Sequence, residues 1–503
     1  MKILFINPPY IRFKNIENIY FPLGLGYLSA MAKQVGHQAV IYNAEIPAPD
    51  EKAKEASYGG QLANLTLSQQ VKKRIYDYDD PIWKEIGHVI ATEKPAVVGI
   101  GTVTVALGVT KRIAELVKAI DKDIKVVIGG PHASVDPISC FTENIDFVIT
   151  GEGEIPLKGL MDFLKGEKAF KDIGSIVTKK GNEFIFNDKA PMIENIDTLP
   201  FPDRGGLLNV HNYQKAVFST FMTDLIGSRG CPFNCKFCSV KNVWGKTIRF
   251  RSPDNVAAEM EHIQKNYGSR EFHIWDDTFT LNKDYFYRFC DILISKKSPF
   301  LWSCATRVDL LSSEALKKMK QAGCFTVFLG IESGSKKTLD QIDKNISLDK
   351  VLEAQDLLKK AKMPWKAYFI VGFPDETKAD MIETFSFMKK IKPSRLFLNV
   401  FAPYPGTQLY ERCEELGLLK NVDWDVVETK GGSHNFANAM DTEDFKKQLK
   451  DMSKYVDDYN KAQSSIFKKL SLRYSYMSKH PLGFINRLAR YAIKRTTLGW
   501  NCH

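Results

Sequence analysis

Cys231-Pro232-Phe233-Asn234-Cys235-Lys236-Phe237-Cys238 is the stretch on which the reading of this chain turns. It sets three thiols at the spacing C-x₃-C-x₂-C. A structural zinc site takes four ligands, and an iron–sulfur cluster held by protein alone takes four cysteines. No fourth ligand is close in sequence: the next cysteine is Cys290 and the next histidine His262. Three thiolates hold three irons of a four-iron cube. The fourth iron then keeps open positions that an outside molecule can chelate through an amine and a carboxylate.

The rest of the chain gives this segment a setting. A length of 503 residues suggests roughly two to four domains. With 44% hydrophobic residues the chain can bury sizeable cores. Beyond the motif, Cys140, Cys290, Cys304, Cys324, Cys413 and Cys502 are scattered singly. That is the pattern of a reduced, cytoplasmic protein and not of a disulfide framework. The N-terminal apolar run is too short for a signal peptide. No uninterrupted apolar run approaches the ~20 residues of a membrane-spanning helix. The net charge is +11, yet residues 461–503 alone hold nine Lys/Arg and no Asp/Glu. The basic character therefore belongs to a tail, and no nucleic-acid partner is expected.

Upstream of the cysteines, apolar runs at 2–7, 38–42, 96–101, 125–130 and 145–150 alternate with helical stretches such as 24–36 and 106–120. Such alternation predicts a doubly wound parallel sheet. Ligands of these sheets bind beyond the carboxyl ends of the strands. There the loops are rich in Gly, Pro and small hydroxyl residues, so backbone can approach a large ligand. The first loop lacks G-x-G-x-x-G, which weakens a dinucleotide reading. Residues 51–85 break the alternation and read as an insertion. Residues 156–217 read as a linker region with a hairpin-like stretch at 176–186 and the segment Leu199-Pro-Phe-Pro-Asp-Arg204.

Around and after the cysteines, strand candidates at 222–227, 271–275, 301–305, 325–330, 366–371 and 396–401 predict a partial (β/α)₆ barrel. Active sites of such barrels sit at the strand C-termini, and the cysteine loop follows the first of these strands. The expected organisation is thus an α/β protein with a sheet domain at 1–155, a linker region, a barrel at 218–415 and a helical region at 416–503. In that last region a flexible loop is expected at Gly431-Gly-Ser-His-Asn435. A helix over 482–495 would gather Leu482, Ile485, Leu488 and Ile493 on one face and Arg487, Arg490 and Lys494 on the other. Such a helix can lie on an anionic membrane surface, pack on the barrel with a solvated basic face, or bind RNA; the last is the weakest of the three.

The cysteine spacing, with aromatic Phe237 before the third thiol, resembles the signature of the radical S-adenosylmethionine (SAM) superfamily. The ordered motifs NPP, PLGLGYLSA, GGPHAS and GEGE over residues 1–155 resemble the cobalamin-binding domain that precedes many radical SAM barrels. The resemblance implies a [4Fe–4S] cluster on Cys231, Cys235 and Cys238. It implies SAM contacts from Phe237, Asp276, Asp277, Arg307, Glu332, Gly372 and Glu376, each beside a strand end. For cobalamin it implies contacts from Asn7, Pro8, Pro9, Thr102, Thr104, Gly129, Gly130, Pro131, His132, Gly151 and Glu152. One departure matters: the first loop, Asn7-Pro-Pro-Tyr-Ile-Arg-Phe13, has no His to ligate cobalt from below. His132 reads better as a loop histidine satisfied by backbone than as a cobalt ligand. Asp276 and Asp277 read alternatively as helix caps, Glu332 as the partner of a neighbouring helix, and Arg307 as a loop anchor.

The expected activity is reductive cleavage of SAM to a 5′-deoxyadenosyl radical that attacks an unactivated carbon. C-methylation through methylcobalamin is the leading reaction. Radical cyclisation or rearrangement of a lipid- or tetrapyrrole-like substrate is the main enzymatic alternative. A non-enzymatic cobalamin sensor or carrier is another, and it predicts no SAM cleavage. Transfer-RNA methylthiolation expects three further N-terminal cysteines, and only Cys140 precedes the barrel. Implied partners are a small-molecule or lipid-like substrate and an electron donor such as ferredoxin or flavodoxin. The basic tail adds peripheral contact with the inner membrane surface as a further expectation.

Overall fold

A computed structural model describes residues 1–14, 20–47, 68–209, 224–427 and 434–463. Residues 51–67 of the predicted insertion, much of the predicted loop at 431–435, and the basic tail from residue 464 on, with its helix at 482–495, lie outside the described residues.

The first sheet has seven strands: β1 (Lys2–Asn7), β2 (Gln38–Asn43), β3 (Val97–Gly101), β4 (Lys125–Gly129), β5 (Phe147–Ile149), β6 (Ile176–Lys180) and β7 (Glu183–Phe186). Their order is β2-β1-β3-β4-β5-β6-β7. β1 to β5 pair in parallel; β6 and β7 continue the sheet antiparallel. This hairpin falls where the sequence suggested linker. β1 shows why the sheet is doubly covered. Leu4 and Ile6 enter one core, with Ile86 and Ile113 from helices Pro81–Glu93 and Leu107–Ile120. Ile3 and Phe5 enter the other, with Leu25 and Leu160 from helices Leu23–Gln34 and Glu154–Leu164. Interior parallel strands are buried on both faces and read as continuous apolar runs, as β1 does.

The second sheet comprises β8 (Asp224–Leu225), β11 (Glu271–Ile274), β12 (Leu301–Thr306), β13 (Cys324–Glu332), β14 (Trp365–Val371) and β15 (Arg395–Val400), all parallel. Between β8 and β11 a short antiparallel ribbon joins β9 (Ser228–Arg229) to β10 (Arg249–Phe250). Burial alternates along β14: Trp365, Ala367, Phe369 and Val371 are buried against helices, whereas Lys366, Tyr368 and Ile370 are half-buried on the inner face. That alternation is the mark of a curved, half-open barrel. On its inner face the rings of Tyr368 and Phe397 stack 4.4 Å apart at 6°.

The outer edge of β15 is closed by the helix Thr442–Gln463. The Asn460 amide accepts from Leu396 N–H at 2.9 Å and donates to Leu396 C=O at 2.8 Å, as a neighbouring strand would. An edge so occupied cannot template pairing with another chain. Nearer the N-terminal sheet, Asp423 pairs with Lys72 at 2.7 Å, and Asp425 accepts from Tyr76 Oη at 2.6 Å. The C-terminal region is thereby tied to the helix Ser68–Ile75. Asp425 sits so close to Gly108 that a Cβ there would come within 2.2 Å of its carboxylate.

Candidate active site

The thiol loop is placed from both sides. It leaves β9 through Gly230, at φ +99°, where a Cβ would meet the Thr247 carbonyl oxygen at 2.4 Å; only glycine fits. Further on, Lys236 N–H donates to Ile342 C=O at 3.0 Å and Leu409 N–H donates to Lys236 C=O at 3.2 Å. Phe237 packs on Phe373, centroids 5.9 Å apart, which anchors the loop in a small apolar cluster. Burial pushes all three thiols up, Cys238 to about 12. A cationic partner is therefore needed to hold them as thiolates. Among the described residues, no three His, Cys, Asp or Glu side chains converge on a point suited to one metal ion. Three thiols in one loop suit a cube, in which each thiolate takes a different iron.

Around the loop the predicted SAM residues divide. Asp276 is buried and already engaged: it accepts from Gly227 N–H at 2.6 Å and Ser228 Oγ at 2.7 Å, tying β11 to the bend that enters the thiol loop. Burial pushes its carboxyl up to about 6. Among the described residues Asp277 has no side-chain hydrogen bond or ion pair; its side chain is exposed, and its charge raises the Cys231 and Cys238 thiols. Partial desolvation by the neighbouring protein, then the charge of Asp276, push its carboxyl up to about 7. Arg307 lies 3.9 Å over the Phe233 ring. Its nitrogens bond Asp309 at 3.0 and 3.1 Å and the carbonyls of Lys344 and Asn345 at 3.2 and 3.0 Å. In this structure its guanidinium is a loop anchor.

Glu332 ends β13 at φ +70° and pairs with Lys344 at 2.8 Å. The sequence reading passed over Lys344. It is buried, its charge reaches Cys235, and Glu332 holds its ammonium above the ordinary range against the cost of burial. In sequence it is one lysine among several, in the turn after the helix Lys336–Gln341, with no motif to mark it. Gly372 turns at φ +87° and its N–H donates to Glu376 at 2.5 Å. Glu376 is wholly buried beneath that turn.

Above the C-terminal ends of β1, β3, β4 and β5 lies a cavity of about 510 Å³. It is lined by Asn7, Pro8, Thr102, Gly129, Gly130, Pro131, Gly151 and Glu152, all predicted from sequence. Gly130 is at φ +110°, where a Cβ would meet the Thr102 carbonyl oxygen at 2.8 Å; at Gly151 a Cβ would project into open space. Ile226, Arg229, Val243 and Trp244 close it from the barrel side, so the segments just before and just after the thiol loop form part of its wall. The volume falls within the usual range for cofactor pockets, and the small-residue rim suits a large flat ligand. Pro9, Thr104 and His132 are not among the lining residues. His132 is buried, with Nδ1 3.1 Å from Thr104 Oγ1 and Nε2 2.8 Å from Ser139 Oγ. Its partners are hydroxyls and not the backbone that was expected, and neither ring nitrogen is left for cobalt. Sequence reading also missed Glu45, which lines the cavity and shapes the first loop by accepting from Ile11 and Arg12 N–H at 2.9 and 2.8 Å.

The two sheet regions are joined by buried charge. Glu259 bridges Arg204 at 2.7 Å and Arg251 at 2.5 Å. Arg229 bridges Glu152 at 2.8 Å and Glu154 at 2.5 Å, and Arg249 joins Glu152 at 2.9 Å. Burial drives the Glu152 carboxyl up, but its hydrogen bonds to Arg249 and Arg229 outweigh that and hold it below the ordinary value. Removing one partner of such a pair costs on the order of 3–5 kcal/mol.

Comparison with known proteins agrees with this layout. A model of the radical SAM superfamily matches residues 225–388, and one of the B12 binding domain matches residues 61–161. The chain is 33% identical over 433 residues to PH0819, an uncharacterized methyltransferase of Pyrococcus horikoshii, covering 84% of this chain and 85% of that one. It is 27% identical over 426 residues to the anaerobic magnesium-protoporphyrin IX monomethyl ester cyclase of Rubrivivax gelatinosus, covering 83% and 70%. Its fold matches the radical SAM methyltransferase TsrM of Kitasatospora setae, solved with cobalamin and a [4Fe–4S] cluster, at a TM-score of 0.63 and 15% identity, covering 83% and 78%.

Proposed function

Since the chain belongs to the radical SAM enzymes that carry a B12-binding domain, we propose that it methylates an unactivated carbon of a small molecule. The observation that carries this reading is the Gly-rich strand-end cavity, whose barrel-side wall is formed by Ile226 and Arg229, which lead into the thiol loop, and by Val243 and Trp244, which follow it. Cys231, Cys235 and Cys238 hold the cluster. Asp277 receives the SAM amine and Lys344 its carboxylate, while Phe237, Gly372 and Glu376 shape the wall behind the nucleoside. Asp276, Arg307 and Glu332 set these groups in place. When bound, the cluster and SAM supply a 5′-deoxyadenosyl radical and the corrin a transferable methyl group. The chain's own contribution is to exclude water, hold both cofactors over one space and orient the substrate carbon between them.

Radical cyclisation is the second reading, favoured by the 27% identity to the cyclase. A reduced ferredoxin or flavodoxin supplies the electron, and the enzyme works in the cytoplasm. Among the described residues no helix is long and apolar enough to cross a membrane.

The test is anaerobic purification with cobalamin, followed by iron, sulfide, corrin and product analysis. Roughly four irons and one corrin per chain, 5′-deoxyadenosine on reduction, and a methylated product are expected. Cys235→Ala should lose the brown absorbance and all SAM cleavage; a fully active variant would sink the assignment. Cleavage without methyl transfer selects cyclisation.

A further inference from the structure

We propose that Glu152 and Glu154, acting through Arg229, fix the position of the cluster loop over the strand-end cavity, and that they are positioning residues and not cofactor contacts. This rests on the cofactor assignment above.

Arg229 is separated from Cys231 by Gly230 alone. That glycine is wedged at φ +99° against the Thr247 carbonyl, so the backbone between them has no slack. Any movement of Arg229 is handed to Cys231. The guanidinium is fixed in two dimensions by separate carboxylates, Nη1 on Glu152 at 2.8 Å and Nη2 on Glu154 at 2.5 Å. Its plane is fixed in the third by Tyr27 and Trp244, with ring centroids 5.3 and 4.7 Å away. Arg249, the cross-strand partner of Arg229, bonds Glu152 as well, so the whole β9–β10 ribbon is clamped.

The oxygens of Glu152 are taken up by the protein. Oε1 meets Arg229; Oε2 meets Arg249 at 2.9 Å and Ile193 N–H at 2.8 Å. Engaged in this way, it is a poor candidate for a ligand contact although it lines the cavity. The three clamped side chains Glu152, Glu154 and Arg229, together with Trp244, form part of the cavity wall. A corrin seated there rests against the same device that holds the first cluster thiol.

The test uses the reduced holoenzyme, in which the cluster and cob(II)alamin are both paramagnetic, so pulsed dipolar EPR reads the distance between them. Wild type should give one narrow peak. Glu154→Gln should lose the narrow peak while keeping wild-type iron and corrin content. Glu154→Asp, which keeps the charge on a shorter arm, should keep a narrow peak at a displaced distance. If Glu154→Gln retains the wild-type peak, or its only defect is weaker corrin binding, the proposal is overturned. Should Glu154→Gln not fold, Glu152→Asp carries the same measurement. A wild type without bound corrin would instead sink the cofactor assignment. The latch is then read in cofactor-free protein by hydrogen exchange at residues 228–231, which must quicken in Glu154→Gln; unchanged exchange overturns it.

Discussion

At the scale of single residues, the sequence spoke for groups that take part in a motif and not for groups that support one. Cys231, Cys235 and Cys238 were legible because their spacing has few other uses. The glycines at 129, 130 and 151 were legible because strand-end loops need backbone without side chains. Lys344 and Arg229 were not legible, because a lone basic residue carries no mark of what a distant carboxylate does with it. Asp276 looked like a ligand-holding group and instead spends its oxygens on Gly227 and Ser228. Glu376 permits a direct test. Burial pushes its carboxyl up to about 8 despite the two N–H groups of Gly372 and Phe373 that pull it down. Below the ordinary carboxylate range, folded and unfolded chains are both protonated there. Between that range and about 8 only the folded chain keeps the proton. Unfolding then releases it, and stability falls as pH rises through that window. Glu376→Gln keeps an acceptor for Gly372 and has no proton to lose. The urea midpoint of cofactor-free wild type should therefore fall relative to Glu376→Gln between about pH 5.5 and 8.5. Parallel curves would refute the assignment.

At the scale of elements, hydrophobic period decided most of the outcome. The strands expected from 2–7 to 396–401 appear within a few residues of their predicted limits, because both-face burial in the first sheet and alternation in the second leave plain patterns. The hairpin β6–β7 was seen as a hairpin, yet its attachment to β5 was not legible: a backbone edge pairs without needing particular side chains. The closure of β15 by Asn460 was equally silent, since one polar residue on a long amphipathic helix looks like solvent-facing surface. Asn460→Ala strips two backbone groups of buried Leu396 of their partner. The expected loss is about 1–3 kcal/mol, measured by urea denaturation, together with a greater tendency to self-associate. A loss within error would mean that the helix closes the edge by packing alone.

At the scale of the molecule, the two sheets face one another by their strand ends and are joined by charge that water does not reach. Arg204–Glu259–Arg251 and Glu152–Arg229–Glu154 have side chains no more than 6% exposed. Salt screens such pairs far less than exposed ones. Residues 1–209 and 224–503, produced together as separate chains, should therefore purify as one complex and remain so in 1 M salt, a concentration at which the screening length is about 3 Å. Dissociation in salt would show that the exposed contacts, such as Lys72–Asp423, hold the halves together.

The tie between 72–76 and 423–425 has a consequence in time. A chain emerges from the ribosome N-terminus first, at about 5–20 residues per second. The first sheet, complete once β7 has emerged, therefore waits on the order of tens of seconds for the segment carrying Asp425. Until residues 226–244 have emerged, the pocket above its strands lacks the barrel-side wall of Ile226, Arg229, Val243 and Trp244. A bulky ligand meets an uncovered berth while synthesis is still under way.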